Sequence, residues 1–244
     1  MSNSETVYSS AISFVIPAHN EENYLPQTLV ALHAAAQSCA IEYEVLVVND
    51  ASTDNTKQLA LQNADRVIDV EIRNIGGVRN AGAAEARYPW LIFLDADTEL
   101  PAETLKAAIQ CLGGGDVGGG AYVDVSREKR IPILKYMVYL SVETFWQTIG
   151  GWAAGCFMFC QKSQFEDFGG FNEDYFAAEE WFFSRELKRR GRFRLVRPPV
   201  ITSARKLHAY SVWQMGRLLF FPLTAGKNFL RSKRGLEMLY EDDR

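Results

Sequence analysis

The sequence contains no long hydrophobic run. Its longest uncharged stretch, Thr144–Gln161, includes glycines and glutamines, which make a poor membrane-spanning helix. The opening segment, Met1–Ser10, is polar and lacks the apolar stretch of a signal peptide. Positive charge is not in excess, because 26 Lys and Arg stand against 30 Asp and Glu, which gives a net charge of −4. A spanning helix, a cleaved leader and a nucleic-acid partner are therefore not expected.

Cysteine is scarce, and no second Cys or His pair stands at zinc spacing from the four that are present, Cys39, Cys111, Cys156 and Cys160. We interpret these cysteines as reduced core residues of a cytoplasmic protein. The first predicted strand is not followed by G-x-G-x-x-G, and G-K-[ST] is absent, so dinucleotide and P-loop sites are not favoured. Internal repeats and Pro/Ser-rich linkers are also lacking, which predicts one domain over residues 1–244.

The composition is that of an ordinary globular protein, with 48% hydrophobic and 23% charged residues. Residues 12–112 alternate between short β-rich runs and helical spacing of apolar residues. The predicted strands are Ile12–Ile16, Tyr43–Val48, Arg66–Val70 and Trp90–Leu94, and the predicted helices are Glu22–Gln37, Asp54–Ala64, Gly77–Arg87 and Pro101–Cys111. Asn20 is the expected cap of the first helix, and Thr98 or a neighbour that of the last. Strands joined through helices by short connections predict an α/β fold with a mostly parallel central sheet.

Residues 113–200 are less regular. A glycine-rich turn is expected over Gly113–Gly120. The predicted strands that follow are Ala121–Val125, Ala154–Gln161 and Phe193–Val196, and the predicted helices are Ile131–Trp146, Lys162–Phe168 and Glu179–Arg190. We expect this half to be appended to the regular first half.

Polar clusters follow three of the predicted parallel strands. Pro17–Glu22 comes after the first strand, Asn49–Ser52 after the second and Asp95–Asp97 after the fourth. Ligands of open α/β sheets bind outside the carboxyl ends of the strands, so these clusters should share one site.

Asp95 and Asp97 are the most informative pair. Two carboxylates one residue apart at a strand end can share a hard divalent cation, and Mg²⁺ or Mn²⁺ usually bridges such carboxylates to substrate phosphates. The alternative is a solvated turn that caps the helix beginning at Pro101.

The order of these motifs resembles the family-2 glycosyltransferases with the GT-A fold. The resemblance rests on FVIPAHNEENYLPQTLVAL, YEVLVVNDASTDNT, NIGGVRNAGAAEA and WLIFLDADTEL, and continues through Gly155, EDFGGFNE at 166–173 and EEWFFSREL at 179–187. It covers about residues 12–196. It implies a nucleotide-sugar-binding half over about 12–112, an acceptor-binding and catalytic half over about 113–200, and a C-terminal helical tail over about 201–244.

The resemblance also implies roles for the residues at the strand ends. Those expected to frame the nucleotide are Pro17, Ala18, Asn20, Glu22, Asp50, Arg79, Asp95 and Ala96. Asp50 would accept a hydrogen bond from the base, Arg79 would hold base or diphosphate, and Asp95 would face the ribose or the metal's waters. For Asp50 and Arg79 the alternatives are helix capping and a surface ion pair. The family often has Asp at the position of Asn49. The Asn in this chain removes one charge near the base.

The implied reaction is an inverting transfer from a nucleoside-diphosphate sugar, with UDP favoured, to an acceptor hydroxyl. Asp97 would bind Mg²⁺ or Mn²⁺ directly, which helps to neutralise the diphosphate leaving group. His208 is a further candidate metal ligand, with ordinary packing as its alternative. Glu180 would be the general base, although the family usually has the shorter Asp there, so Glu179 is the alternative.

The acceptor is less readable from the sequence. The stretch expected to face a saccharide or lipid-linked acceptor contains Tyr136, Tyr139, Phe145, Trp146, Trp152 and Phe157. These aromatics could stack on a sugar or contact a lipid, and a core role is the alternative. The tail segment Val212–Leu230 mixes aromatic and basic residues. It is expected to lie peripherally on the inner face of the membrane, to cover the core or to form a homodimer face.

Two competing functions are carried forward. A catalytically silent nucleotide-sugar-binding or scaffold protein would use the same fold, but the presence of Asp97, Arg79 and Glu180 argues against it. A sugar nucleotidyltransferase would need a glycine-rich basic loop near the N-terminus, where Pro17-Ala18-His19-Asn20 stands instead.

Overall fold

The structure is a computed structural model that describes residues 11–125, 132–145, 147, 150–174 and 179–205. It contains an eight-stranded sheet with the order β3-β2-β1-β4-β7-β6-β8-β5. The strands are β1 (Ile12–Ala18), β2 (Tyr43–Asp50), β3 (Arg66–Val70), β4 (Trp90–Leu94), β5 (Thr98–Glu99), β6 (Gly118–Asp124), β7 (Phe157–Gln161) and β8 (Phe193–Thr202). The helices are α1 (Leu25–Ser38), α2 (Thr56–Asn63), α3 (Ile75–Glu85), α4 (Ala102–Gly113), α5 (Ile133–Phe145), α6 (Lys162–Asp167) and α7 (Glu179–Arg190).

The first half confirms the predicted parallel arrangement. β1 pairs in parallel with β2 and with β4, and β2 pairs in parallel with β3. The runs VLVV in β2 and WLIFL in β4 are buried throughout, because helices cover both faces of a parallel sheet. This topology places the carboxyl ends of β1, β2 and β4 at one edge.

The second half adds antiparallel strands to this frame. β7 pairs antiparallel with β4 on one side and with β6 on the other, and β8 then runs parallel to β6. The short strand β5 pairs only with β8 among the described strands, so the residues after β4 lie beside the end of β8.

The glycine-rich turn predicted over Gly113–Gly120 is wrong in its second part, where Gly118–Gly120 opens β6. A Cβ at Gly119 would collide with the Arg194 carbonyl and the Phe159 ring. Glycine is therefore required there by a close approach across the sheet rather than by a turn.

Three smaller predictions were also wrong. Asn20 does not cap α1, whose cap is Tyr24, because Asn20 adopts a left-handed conformation (φ 54°) in the preceding loop. Thr98 does not cap α4, because it lies in β5. The residue at the cap position of α4 is Pro101. Strand β8 continues to Thr202, beyond the expected end at Val196. Among the described residues, no helix is both long and apolar enough to cross a membrane.

Candidate active site

The loops after β1 and β2 are joined to each other by hydrogen bonds. The Asn20 backbone N–H donates to Ser52 Oγ (3.1 Å), and the Thr53 N–H donates to Asn20 Oδ1 (2.8 Å). Glu22 Oε2 accepts from the Asn55 backbone N–H (3.0 Å) and side-chain amide (2.8 Å). The side chains of Asn20 and Glu22, which were predicted to frame the nucleotide, therefore hold the second loop in place.

Asp50 fixes a third loop to the same edge. Its carboxylate is buried and accepts from the backbone N–H groups of Ile72 (2.7 Å) and Arg73 (2.9 Å), just after β3. His19 Nδ1 lies 2.7 Å from the Asp50 carbonyl oxygen. Asn20, Ala51 and Arg73 all have positive φ, so each of the three loops contains a left-handed non-glycine residue. Such strained backbone is typical of ligand sites.

Arg79 lies in α3 with 2% of its side chain exposed. Its Nη1 donates to Glu179 Oε1 (2.9 Å), and its Nη2 donates to Asp95 Oδ1 (2.8 Å) and to the Gly155 carbonyl (2.9 Å). Burial works against the charged guanidinium, but Asp95 and Glu179 outweigh it and raise the pKa of Arg79. The surface ion-pair alternative is wrong, because this arginine is buried, whereas its contact with base or diphosphate stays a prediction. This guanidinium faces protein oxygens and joins the carboxylate after β4 to α7.

Asp97 faces a different arginine. Its Oδ2 accepts from Arg205 Nη2 (3.2 Å), and its Oδ1 lies 3.4 Å from Thr202 Oγ1. Arg205 also forms a two-pronged contact with Glu21, at 3.1 Å from Nη1 and 2.8 Å from Nη2. Burial opposes the charged form of Arg205, but hydrogen bonding and charge attraction from Glu21 raise its pKa, whereas burial raises the pKa of Glu21.

The donor set at this edge fits a hard divalent cation. Asp95 and Asp97 both project from the segment after β4, and cationic guanidinium groups contact both carboxylates. Within the described residues, no group of three or more His, Cys, Asp and Glu side chains is placed so that it could hold a metal ion. Mg²⁺ normally uses one or two carboxylates and completes its shell with waters and phosphates, so two aspartates suffice. His208 lies outside the described residues.

The predicted catalytic pair opens α7. Glu179 is 7% exposed and is held by Arg79, whereas Glu180 is partly exposed and receives no hydrogen bond from Arg79 in the described contacts. Burial and the neighbouring Glu179 carboxylate raise the pKa of Glu180 to about 8. A raised pKa makes the deprotonated carboxylate a stronger base than an ordinary glutamate, and this form becomes predominant above about pH 8.

The predicted acceptor aromatics lie in different surroundings. Phe157 is fully buried in the core, so its core alternative is confirmed. Trp152 is partly exposed and packs edge-on against Trp181, the residue after Glu180, with ring centroids 5.9 Å apart. Tyr136 and Tyr139 pack beside Val125 and Ala204. The side chain of Phe145, all of Trp146 and the tail segment 212–230 lie outside the described residues.

Sequence reasoning missed the contact between Glu21 and Arg205. Glu21 was part of the first polar cluster without a role, and Arg205 was only a neighbour of His208. The usable signal was charge balance: each of the three polar clusters at one sheet edge contains at least one carboxylate that needs a cation, and a basic residue follows the end of β8. The chain-distant pairing itself could not be read from spacing.

Residues 13–162 match the family model described as glycosyl transferase family 2. The undecaprenyl-phosphate 4-deoxy-4-formamido-L-arabinose transferase of Pseudomonas fluorescens (strain SBW25) is 36% identical over 106 residues, which cover 41% of this chain and 31% of that protein. The enzyme of the same name from Shewanella sediminis is 34% identical over 101 residues, covering 38% and 30%. The chain thus matches about a third of the length of these curated relatives.

Solved structures show the same fold. The mannosyltransferase PcManGT from Pyrobaculum calidifontis, in complex with GDP-Man and Mn²⁺, superposes with a TM-score of 0.64 at 19% identity, covering 91% of this chain and 66% of that one. S. aureus TarS 1–349 in complex with UDP-GlcNAc gives 0.61 at 18% identity, covering 89% and 67%. At these identities the likeness establishes the fold, which is the GT-A fold predicted from the sequence.

Proposed function

Because the chain belongs to glycosyl transferase family 2, we propose that it transfers a sugar from a nucleoside-diphosphate sugar to an acceptor hydroxyl. One observation carries this proposal. Arg79 binds Asp95 and Glu179 through the two terminal nitrogens of one guanidinium, so the predicted donor edge adjoins the predicted catalytic helix α7. A transferase needs these two groups together, because the leaving diphosphate and the attacking oxygen meet at one carbon.

The donor half of the proposal rests on the three joined loops. Pro17, Ala18 and Asp50 would border the nucleotide, with UDP favoured over GDP, and Asp95 and Asp97 would hold Mg²⁺ or Mn²⁺. The bound ion would supply positive charge against the departing diphosphate. The hydrogen bonds within these loops fix the pocket wall before the donor arrives, which lowers the ordering cost of binding.

The catalytic half assigns the base to Glu180. Arg79 engages Glu179, which leaves the raised-pKa carboxylate of Glu180 to take a proton. Glu180 would remove the proton of the acceptor hydroxyl as its oxygen attacks the anomeric carbon. The bond from that carbon to the diphosphate oxygen breaks on the opposite side, so a single displacement inverts the configuration.

The acceptor is proposed to be a saccharide or a lipid-linked saccharide that carries a free hydroxyl. The curated relatives are named for undecaprenyl phosphate, a lipid, which supports a peripheral place at the inner face of the membrane. A phosphate oxygen is already ionised and needs little help from a base, whereas a hydroxyl must lose its proton as it attacks. Glu180 as a general base therefore favours a hydroxyl nucleophile. Cytoplasmic location, membrane contact and a homodimer remain predictions.

Metal-dependent nucleotide binding tests the donor site. We expect UDP to bind in the presence of Mn²⁺ and to lose affinity by about 10–100-fold or more when a chelator is added. Mutation of residues that only support a metal's ligands typically costs about 10–100-fold, and removal of the metal itself should cost at least as much. Asp97→Ala should remove this metal dependence. Calorimetric titration of UDP and GDP on both proteins is the measurement. Asp69→Ala, at an exposed aspartate in β3, is the matched control. If neither UDP nor GDP binds under any condition, the donor site is refuted.

Asp50 gives a second test of the same pocket. Asp50→Ala removes two charged hydrogen bonds to the loop after β3 and should weaken UDP binding about tenfold or more. Asp50→Asn keeps an acceptor for one of them and should lose less. Titration calorimetry of both variants, alongside thermal unfolding, separates the pocket from general stability. Unchanged nucleotide affinity in Asp50→Ala would remove Asp50 from the site.

A further inference from the structure

Arg205 is the residue that brings the end of β8 to the proposed metal site. The Ser203 backbone N–H donates to the Asp97 carbonyl (3.1 Å), and the Arg205 N–H donates to Ser203 Oγ (3.1 Å), which sets the direction of the chain. The Arg205 guanidinium then lies over the Tyr24 ring, 5.1 Å from its centroid, and contacts both Glu21 and Asp97. Segments after β1, β4 and β8 therefore meet at one cation.

The charges at this point require a cation. The side chains of Glu21 and Asp97 are 13% and 11% exposed, so water screens them poorly. Two carboxylates in such a setting repel each other unless positive charge lies between them. Arg205 supplies that charge through a fork that fits a carboxylate geometrically. It occupies one oxygen of Asp97, the residue proposed to bind the metal directly.

We propose that Arg205 is a placeholder cation, which neutralises Glu21 and Asp97 in the metal-free protein and competes with the divalent ion for Asp97. This inference rests on the proposed function, because it requires metal binding at Asp97. Arg205 is a positioning residue in this scheme. When the ion binds, Arg205 leaves Asp97 and keeps its two-pronged contact with Glu21.

Competition of this kind has a fixed thermodynamic sign. If Arg205 weakens metal binding, then metal binding weakens the Arg205–Asp97 contact by the same factor. Coupling between ligands in proteins typically lies between about 5-fold and 150-fold. We therefore expect Arg205→Gln to raise the affinity for Mn²⁺ alone, measured without nucleotide, by about tenfold. Arg205→Lys, which keeps the charge but loses the fork, should raise it less.

A loss of positive charge anywhere near the site could also raise metal affinity, so the experiment needs a charge control. Arg73→Gln removes one positive charge from the same edge of the sheet, where Arg73 contacts His19, and leaves the Glu21–Arg205–Asp97 contacts in place. Mn²⁺ affinity of wild type, Arg205→Gln, Arg205→Lys and Arg73→Gln would be measured by electron paramagnetic resonance of free Mn²⁺. Equal tightening in Arg205→Gln and Arg73→Gln would overturn the placeholder role.

Thermal unfolding gives a readout that does not depend on turnover. In chelator, Arg205→Gln should unfold at a lower temperature than wild type, because Glu21 and Asp97 lose their contacts with the Arg205 guanidinium. Saturating Mn²⁺ should raise the unfolding temperature of Arg205→Gln by more than it raises that of wild type. If Arg205→Gln does not fold, the same comparison with Arg205→Lys decides. If wild type binds Mn²⁺ and Arg205→Gln binds it equally well or more weakly, this inference alone is overturned. If wild type does not bind Mn²⁺ either with or without UDP, the metal site is overturned as well.

Discussion

Glu180→Gln should reduce sugar transfer by orders of magnitude and leave donor binding intact. The amide keeps the size of the side chain but cannot take a proton, and general-base catalysis typically contributes about 10²–10⁴-fold to the rate. We therefore expect kcat to fall by about that factor, while the Kd for UDP with Mn²⁺ changes little, since Glu180 is placed on the acceptor side. Steady-state assays with a radiolabelled donor and titration calorimetry measure the two quantities on the same preparation.

The pH profile supplies an independent signature of this base. Only the deprotonated carboxylate can accept the acceptor proton, so kcat/KM of the wild type should rise with pH through the raised pKa of Glu180 (about 8) and level off above it. This rising limb should be missing from the residual activity of Glu180→Gln. Glu186→Gln, which changes a surface residue of the same helix, is the matched control. Retained turnover in Glu180→Gln, combined with its loss in Glu179→Gln, would move the base to Glu179.

Arg79→Met should be the most destabilising single change in the site. The methionine fills much of the volume, but Asp95 and Glu179 lose the cation that lies 2.8 and 2.9 Å away. Removing one partner of a buried ion pair typically costs about 3–5 kcal/mol, because the remaining charge stays buried without compensation. We expect the free energy of unfolding, measured by urea titration, to fall by about that amount.

Two comparisons identify the cause of this loss. Adding Glu179→Gln to Arg79→Met removes one of the uncompensated charges and should restore part of the stability. Arg66→Gln removes an arginine from an exposed ion pair with Glu85 and should cost no more than about 1 kcal/mol. A loss below about 1 kcal/mol in Arg79→Met, or no recovery in the double variant, would contradict the proposed role of this guanidinium.

The parallel half of the fold could be predicted because its signal is local. The buried run WLIFL at 90–94 was placed with the observed bounds, since a strand covered on both faces must be apolar throughout. The partly exposed β3 segment 66–70 was placed with the observed bounds as well. The strand character of Gly118–Gly120 could not be read in the same way. Those glycines are required by the neighbouring strands, and sequence periodicity contains no information about a neighbour's position.

The site divides along a similar line. Asp50, Asp95 and Asp97 could be located because parallel topology brings the ends of β1, β2 and β4 together, whatever the details of packing. The burial of Arg79 could not be predicted in this way. It depends on the packing of α7, whose residue Glu179 lies 100 positions further along the chain. The mutual neutralisation of Glu21, Asp97 and Arg205 is likewise a tertiary property, which no single segment encodes.

The contact between Glu21 and Arg205 has a consequence for the order of assembly during synthesis. The two residues are 184 positions apart, so the ribosome must release nearly all of the described chain before this contact can form. The parallel strands β1 to β4 can pair much earlier, because their contacts close over shorter loops. The nascent chain can therefore form the loops after β1 and β2 before it completes the carboxylate–arginine contact. A truncated or stalled product that ends before residue 205 would therefore present Glu21 and Asp97 without the Arg205 guanidinium that contacts both of them in the finished chain.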